Sequence, residues 1–271
     1  MASDHIKIEL LHASVDPDNQ VESEFRILVD GRSFKYITID PGLYEPDDMC
    51  FGPAFVSLLP PLPDKDWNVG HISLDPTTWK PHFATAAREE LPGIMDIWQP
   101  VQIDILDLRV EQQLRSNVLE VTCDRFDSIV VAKFARFPWE IPQFESETTV
   151  YKWIDGHGVG PSFLGHLTEE GRVIGFVVAH IPSSRHPTPE DLTVCSHELS
   201  KVHQLGIKHG DINKHNFLIH EGNATLIDFD NASRVASREV LEEELHSLEA
   251  SLRDESGLGG VIEEEEVDIA Q

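Results

Sequence analysis

Positive charge is scarce in this sequence. Its 271 residues include 21 Lys and Arg against 48 Asp and Glu, which gives a formal net charge of −27. So large an excess of acid opposes binding to nucleic-acid backbones and to anionic membranes. We therefore expect no nucleic-acid partner and no membrane partner, and we expect any protein partner to be basic or neutral.

Cysteine and long apolar runs are scarce as well. The three cysteines, Cys50, Cys123 and Cys195, lie far apart and show no paired spacing, which favours reduced thiols over disulfides or a zinc cluster. No apolar run approaches the length of a membrane span, and the first five residues lack the apolar core of a signal peptide. These features predict a cytoplasmic protein.

The first hundred residues carry strand patterns and no recognisable chemistry. Apolar, β-prone runs occupy residues 6–10, 25–29 and 34–39, and the pair Asp30-Gly31 between the last two predicts a tight hairpin. Residues 85–97 suggest a short helix interrupted by Pro92-Gly93. We predict a β-rich N-terminal extension of unknown role over residues 1–100.

From residue 101 onward the pattern is that of a small mixed domain. Strands are predicted at residues 101–108, 118–122 and 128–133, and the last of them ends in Lys133. A lysine at the end of a buried strand is costly unless its ammonium meets a partner, so Lys133 is a candidate for contact with nucleotide phosphates. The alternative is a lysine that extends from the strand end into solvent.

The next segments predict a carboxylate partner for Lys133. If residues 143–154 form a helix, Glu147, Tyr151 and Ile154 share one face, which makes Glu147 the expected partner and leaves Glu145, on another face, as the fallback. An apolar strand follows over residues 173–181. After a capping signal at 188–191, apolar residues recur at helical spacing over 192–205.

Two acidic clusters carry the chemistry. The first reads His-Gly-Asp-Ile-Asn-Lys-His-Asn over residues 209–216, and the second is Asp-Phe-Asp at 228–230. An Asp that accepts a hydroxyl proton, an Asn five positions later and an Asp in a following turn supply one base and two metal ligands for a magnesium-bound nucleotide. The apolar runs 217–219 and 224–227 predict a strand–turn–strand hairpin beneath this site.

In this order, the motifs of residues 101–231 resemble the protein-kinase and aminoglycoside-phosphotransferase superfamily. They look most like small fungal kinase-like proteins with an Ala-Lys strand, a Glu-x-x-x-Tyr helix, Phe-Leu-Gly-His and His-Gly-Asp-x-Asn. The resemblance implies ATP and Mg²⁺ as cofactors, and it implies a role for each matching residue. Asp211 would be the catalytic base, Asn216 and Asp228 the magnesium ligands, Lys133 the phosphate contact and Glu147 its positioning partner, while the adenine would meet Ala179, His180 and Ile181.

The resemblance also implies an α+β, two-lobed protein-kinase-like fold with a reduced C-lobe. The kinase-like domain would span residues 101–255, with a small lobe at about 101–180 and a reduced large lobe at about 181–255. Residues 256–271 would form an acidic, disordered tail.

Three departures from the protein-kinase pattern bear on activity. Gly210 stands where protein kinases usually have Arg, and Asp230 where they usually have Gly; both favour the phosphotransferase branch. Residues 109–117, where a glycine-rich loop should cover the phosphates, contain no glycine. Glycine lets backbone amides approach phosphate closely, so this chain would need side-chain cover from Arg115 or Ser116, and we expect a lower rate.

The sequence thus predicts an ATP- and magnesium-dependent phosphotransferase that acts on a hydroxyl of a small molecule or, as a second choice, of a protein. The alternative is a pseudokinase or nucleotide-binding scaffold that acts through a protein partner. A metal site built on His209 and His215 is less well supported than either of these functions, because no His-x-x-x-His helix with a third ligand is present in the sequence. The phosphoryl acceptor is not identified by the sequence.

Overall fold

The computed structural model describes residues 6–235 and 237–254. The chain divides into two compact units. Of the described residues, the first unit comprises those up to 93 with the short segments 135–140 and 169–172, and the second comprises 94–134, 141–168 and those from 173 onward. Helices and strands occur in both, which confirms the mixed α+β class. No helix in the described ranges is both long enough and apolar enough to cross a membrane.

The first unit is built on a five-stranded sheet with strand order β1-β2-β3-β4-β5. β1 to β3 form an antiparallel meander, β4 lies parallel to β3, and β5 returns antiparallel to β4. Two short helices make the crossover between β3 and β4. The bounds are β1 Ile8–Ser14, β2 Ser23–Val29, β3 Ser33–Ile39, α1 Pro46–Cys50, α2 Gly52–Leu58, β4 Val69–Leu74 and β5 Pro81–Ala87.

Of two local predictions for the first unit, a hairpin and a helix, one is confirmed and one is wrong. The hairpin at Asp30-Gly31 is confirmed: both residues have positive φ, and Val29 pairs with Ser33 across the turn. The helix predicted over residues 85–97 is wrong. Residues up to Ala87 complete the edge strand β5, and residues 88–98 run without helix or strand. Pro92-Gly93 lies in this irregular stretch, where neither residue can support a helix interior.

Apolar side chains from the sheet and the crossover helices form the core of the first unit. Phe25 of β2 stacks on Phe55 of α2 with ring centroids 4.3 Å apart, and both rings are fully buried. Ring pairs of this kind stabilise a core beyond the area they bury. The core cluster comprises Phe25, Ile27, Ile37, Ile39, Met49, Phe55, Trp67 and Ile72.

A buried ionic network is the main polar feature of the first unit. Arg26 on β2 donates through its guanidinium to Glu169, and both side chains are almost fully buried. The other carboxylate oxygen of Glu169 accepts from the Tyr36 hydroxyl at 2.6 Å and from Arg172 at 2.8 Å. Burial alone would raise the pKa of Glu169, but Arg26 and Arg172 hold it below its usual value.

Removing the charge of Glu169 should destabilise the protein, because the buried guanidinium of Arg26 loses the carboxylate charge of its Glu169 ion pair. We expect Glu169→Gln to lower the free energy of unfolding by about 3–5 kcal/mol, measured by urea denaturation at neutral pH. The matched control is Glu170→Gln, since Glu170 pairs with the half-exposed Arg88 and should change stability by less than about 1 kcal/mol.

The pH dependence gives this prediction a second readout. Because the folded pKa of Glu169 is depressed, its contribution is complete above the ordinary value of 4.5 and is lost as pH falls through the folded pKa. The wild-type and Glu169→Gln stabilities should therefore converge on acidification. A constant difference between them from pH 7 to pH 3 would contradict the assignment.

The second unit contains a six-stranded sheet with strand order β6-β10-β11-β9-β8-β7. The pairs β7–β8, β8–β9 and β9–β11 are antiparallel, and β6 runs parallel to β10. The turn residues 169–172 between β10 and β11 are grouped with the first unit. The bounds are β6 Gln102–Asp104, β7 Arg109–Arg115, β8 Val118–Thr122, β9 Val130–Phe134, α3 Ile141–Ile154, β10 Phe163–Glu169 and β11 Arg172–Ala179.

Helices and short hairpins follow this sheet. The bounds are α4 Leu192–Gln204, β12 Ile207–Lys208, β13 Phe217–His220, β14 Asn223–Leu226, β15 Ser233–Arg234 and α5 Arg238–Arg253. β13 and β14 form the predicted strand–turn–strand hairpin, which is confirmed. The capping box predicted before α4 is present at Thr188 and Asp191. The acidic tail predicted over residues 256–271 lies outside the described residues.

One strand prediction and one loop prediction in the second unit need correction. The strand predicted over 101–108 is shorter: β6 ends at Asp104, and a 3₁₀ turn follows over Ile105–Asp107. Asp104 caps this turn by accepting the N–H of Leu106 at 2.9 Å. The segment 109–117, predicted to be a phosphate-covering loop, is mostly the edge strand β7. The loop itself is reduced to Ser116-Asn117, which joins β7 to β8.

Candidate active site

Sheet register places a row of side chains on one face of the second unit. Arg115 of β7 is opposite Val118 of β8, Val118 is opposite Lys133 of β9, and Lys133 is opposite Phe176 of β11. Residues paired across neighbouring strands point to the same side of a sheet. All four residues line one cavity of about 380 Å³.

Lys133 is held between two carboxylates. Its Nζ lies 2.7 Å from Oε2 of Glu147 on α3, and it also donates to Oδ1 of Asp228. Glu147, and not the fallback Glu145, is therefore the helix residue that pairs with Lys133. Helical spacing explains this, because Phe144, Glu147, Tyr151 and Ile154 all fall on the buried face of α3. The triad joins β9, α3 and the segment after β14.

The protonation of the triad follows from burial and mutual charge. Burial opposes the ammonium of Lys133, but Glu147 and Asp228 outweigh it and hold the pKa of Lys133 above its usual value. Burial raises the pKa of Glu147, and Lys133 offsets part of that rise. For Asp228 the effect of burial is overcome by Lys133 and Arg115, so the pKa of Asp228 is lowered and it is ionised at neutral pH.

Asp228 is positioned by its backbone as well as by its ion pairs. Its φ of +66° lies in the left-handed region, which Asp tolerates better than most residues. The next N–H, of Phe229, donates to Oε1 of Glu147 at 3.2 Å. The fully buried Phe229 ring packs edge-on against Tyr151 at 5.5 Å. Glu147 therefore fixes the turn around Asp228 as well as the ammonium of Lys133.

Asp211 lies in a loop held by neighbouring amides. Its carboxylate accepts from Nδ2 of Asn213 at 2.8 Å and from Nδ2 of Asn216 at 3.0 Å. Asn216 also donates to the carbonyl of Asp211 at 2.8 Å and is almost fully buried. Because its Nδ2 is committed to Asp211, the amide oxygen of Asn216 is the atom that could ligate a cation. The structure thus brings Asp211 and Asn216 together.

The two acidic clusters are joined through the backbone of Ile227. Its N–H donates to the carbonyl of Asn216 at 3.0 Å, and its carbonyl lies 3.1 Å from Nε2 of His209. Burial lowers the pKa of His209, so the ring is neutral, with Nε2 as the donor and Nδ1 accepting from the N–H of Asp211 at 3.4 Å. Asp228 follows Ile227 directly. His209 therefore braces the loop, and its two ring nitrogens contact backbone groups rather than a metal site.

Gly210 is required by close backbone packing. It has φ of +85°, and a Cβ at this position would lie 2.4 Å from the carbonyl oxygen of Asn231. No side chain fits there without moving the backbone. This local packing explains why the chain has glycine where protein kinases usually have Arg.

A buried glutamate of α5 anchors the same loop. Glu244 accepts the N–H of His209 at 3.0 Å and the N–H of Gly210 at 2.7 Å, and its carboxylate lies 2.8 Å from Nε2 of His203 on α4. Burial opposes its charge, but these donors hold the pKa of Glu244 below its usual value. Sequence reasoning did not identify this residue. Its signal was the spacing of Glu244, Leu248 and Leu252 on one face of an otherwise acidic helix.

The cavity beside Lys133 combines apolar walls with a polar rim. Its lining includes the strand end formed by Ala179, His180 and Ile181 together with Lys133, Glu147 and Asp228, so the structure brings these predicted residues together. Asp211 and Asn216 are not among the lining residues. They are joined to the lining by the hydrogen bond from the N–H of Ile227 to the carbonyl of Asn216. Apolar walls are provided by Val118, Val131, Phe176, Val178, Leu218 and Ile227.

Comparison with known proteins bears on the later part of this site. A model of the lipopolysaccharide kinase (Kdo/WaaP) family matches residues 186–265. This family belongs to the protein-kinase-like superfamily, so the match confirms the resemblance for that segment and supports a kinase-like phosphotransferase. The segment covers less than a third of the chain but includes Asp211, Asn216, Asp228 and Glu244. None of the curated proteins compared with the chain matched it.

Replacing Glu244 should loosen the loop that carries Asp211. Glu244→Gln keeps the side-chain shape but retains only one acceptor oxygen for two backbone N–H groups and His203. We expect faster hydrogen–deuterium exchange at His209 and Gly210, by about tenfold or more, because an unmade buried hydrogen bond costs about 1–3 kcal/mol. The control is Glu242→Gln on the exposed face of α5, where the carboxylate pairs with Arg238. Equal exchange in both variants would contradict the anchoring role.

Proposed function

We propose that the protein is an ATP- and magnesium-dependent phosphotransferase that acts on a hydroxyl, with Asp211 as the catalytic base. One observation carries this proposal: Ile227 connects the Lys133–Glu147–Asp228 triad to the Asp211–Asn216 pair. Its N–H donates to the carbonyl of Asn216, its carbonyl accepts from His209 in the Asp211 loop, and Asp228 is the next residue. The Kdo/WaaP match to residues 186–265 supports the same class of activity. We further propose that the sheet with α3, and the residues after 181, correspond to the two lobes of a kinase-like fold.

The apolar cavity suits the base of a nucleotide. Val118 and Val131 of the sheet and Leu218 and Ile227 of the later segment supply apolar surface for a flat ring. At the cavity edge, the backbone of the Ala179–Ile181 strand end would give the adenine its directional contacts. The phosphates would then extend toward Lys133. Apolar surface for a base and cationic side chains for phosphates in one lining support ATP as the proposed ligand.

The residues present also fit a magnesium ion. Mg²⁺ prefers oxygen ligands, and the ionised carboxylate of Asp228 and the amide oxygen of Asn216 are of that type. When bound, the ion would neutralise charge on the transferring phosphoryl group. Lys133 would hold phosphate oxygens, and Glu147 would keep its ammonium in place. The role of Asn216 depends on Asp211, whose carboxylate holds the Nδ2 side of the amide.

Asp211 is suited to accept a proton from the acceptor hydroxyl. Its described hydrogen-bond partners are the neutral amides of Asn213 and Asn216, so no cation among them competes for its charge. The hydroxyl proton moves to the Asp211 carboxylate as the acceptor oxygen bonds to the γ-phosphorus. The bond from that phosphorus to the bridging oxygen breaks, and ADP leaves. We propose a small molecule as acceptor and a protein as the second choice.

A pseudokinase or nucleotide-binding scaffold is the competing function. A scaffold needs a folded surface but not a base, two oxygen ligands and a buried lysine held by two carboxylates. Burying several charges together costs desolvation free energy, and a scaffold would gain nothing from it. The complete set therefore favours catalysis. Loss of Asp211 separates the two functions, because a scaffold would not respond to it.

Asp211→Asn tests the catalytic step. The amide cannot take a proton, so magnesium-dependent ATP consumption in the presence of acceptor should fall by about 10²- to 10⁴-fold while ATP binding, measured by calorimetry, stays within about twofold of wild type. Small-molecule and protein fractions of a cell extract serve as acceptor sources. Asp124→Asn, at an exposed surface pair with Arg109, is the matched control. Unchanged turnover in Asp211→Asn would contradict its role as the base, and an absence of turnover in the wild type would favour the scaffold function.

Asp228→Asn tests the metal site. For the wild type, we expect ATP with magnesium to raise the melting temperature by several degrees more than ATP with EDTA, because a ligand that binds the folded state stabilises it. Asp228→Asn removes the charge that attracts the cation, so this metal-dependent difference should disappear. An equal magnesium-dependent shift in the variant would place the cation elsewhere.

A further inference from the structure

The turn between β7 and β8 lacks the glycines through which kinases bring backbone amides to the phosphates. Residues 109–117 contain none, and the turn is reduced to Ser116-Asn117. It is held near Lys133, because the carbonyl of Asn117 accepts the N–H of Phe134 at 3.1 Å. A nucleotide in the cavity would therefore meet side chains of this hairpin where kinases present backbone.

Arg115 is the cationic side chain that this hairpin contributes to the cavity lining. The other six residues of β7 are exposed, and Arg115 alone is partly buried. Sheet register places it in the same row as Val118 and Lys133, on the face that lines the cavity. Its Nη1 donates to Oδ2 of Asp228 at 3.1 Å.

The charges around the cavity also single out Arg115. Lys133 lies between Glu147 and Asp228, and Arg185 makes two bonds to Asp191 at 2.7 and 2.9 Å. Arg115, in contrast, makes one hydrogen bond to a carboxylate. Its guanidinium carries five N–H donors, so it has donors left for a ligand. A guanidinium can bridge a carboxylate and a phosphate and favours paired contacts to phosphate oxygens.

We propose that Arg115 is a phosphate-binding residue of this nucleotide site and replaces, with its side chain, the cover that a glycine-rich loop gives elsewhere. Arg115 would remain next to Asp228 and direct further donors to the phosphates of ATP. This assignment rests on the proposed function, since it presupposes a nucleotide in the cavity. It defines Arg115 as a binding residue that distinguishes nucleotides by their phosphates.

Calorimetric titrations with ATP, ADP and adenosine in the presence of magnesium test the proposal. Arg115→Ala should weaken ATP binding by about tenfold or more, the usual loss for a hydrogen bond to a charged group. Adenosine has no phosphate, so its affinity should stay within about twofold of wild type. Arg115→Lys keeps the charge but loses the planar fork, so its ATP affinity should fall between those of wild type and Arg115→Ala.

The control is Arg109→Ala on the same strand, where the exposed guanidinium pairs with Asp124. It should leave all three affinities unchanged. If Arg115→Ala weakens ATP and adenosine equally, or neither, the assignment of Arg115 is overturned while the proposed function stands. If the wild-type protein binds adenosine and ATP equally well, the phosphate role also fails. If the wild type binds neither, both the assignment and the proposed function fail.

Discussion

The ion pair between Lys133 and Glu147, shared with Asp228, is the interaction on which the candidate site depends. One ammonium joins the sheet strand β9, the helix α3 that follows it, and the segment after β14, whose Asp228 is 95 residues from Lys133 in the sequence. Buried charges of this kind are costly when one partner is missing, so each member holds the others in place. Glu147 extends the constraint to the backbone by accepting the N–H of Phe229. The geometry around Asp228 is thus fixed from both its side chain and its main chain.

A second set of bonds extends this constraint to Asp211. Ile227 uses its N–H and its carbonyl on the loop that carries Asp211, and Glu244 holds the same loop through the N–H groups of His209 and Gly210. Backbone groups near the Asp211 carboxylate are thereby satisfied by hydrogen-bond partners, which is the condition for a preorganised site. The acidic helix α5 consequently has a structural role in the site through one buried glutamate, whatever its exposed face does.

Sequence reasoning succeeded where a local period determines the placement. The 3.6-residue spacing of α3 pointed to Glu147 over Glu145, and Asp30-Gly31 marked a hairpin by its turn chemistry. Sequence reasoning failed where exposed or charged residues hide the spacing of the buried ones. The edge strand β7 is exposed at six of its seven positions and shows no buried face, so it resembles a loop. Glu244 is hidden among the neighbouring acidic residues of α5. The network of Arg26 and Glu169 joins residues 143 positions apart, a pairing that no local pattern contains.

We propose that the Lys133 triad and the Asp211–Asn216 pair form one site for a magnesium-bound nucleotide. A crystal structure of the protein with Mg²⁺ and a non-hydrolysable ATP analogue is the sharpest test of this site. We expect a cation about 2.0–2.1 Å from oxygens of Asn216 and Asp228, with the adenine at the Ala179–Ile181 strand end and the terminal phosphate facing Asp211. A nucleotide bound outside the cavity, or a cation that Asp228 does not ligate, would contradict it.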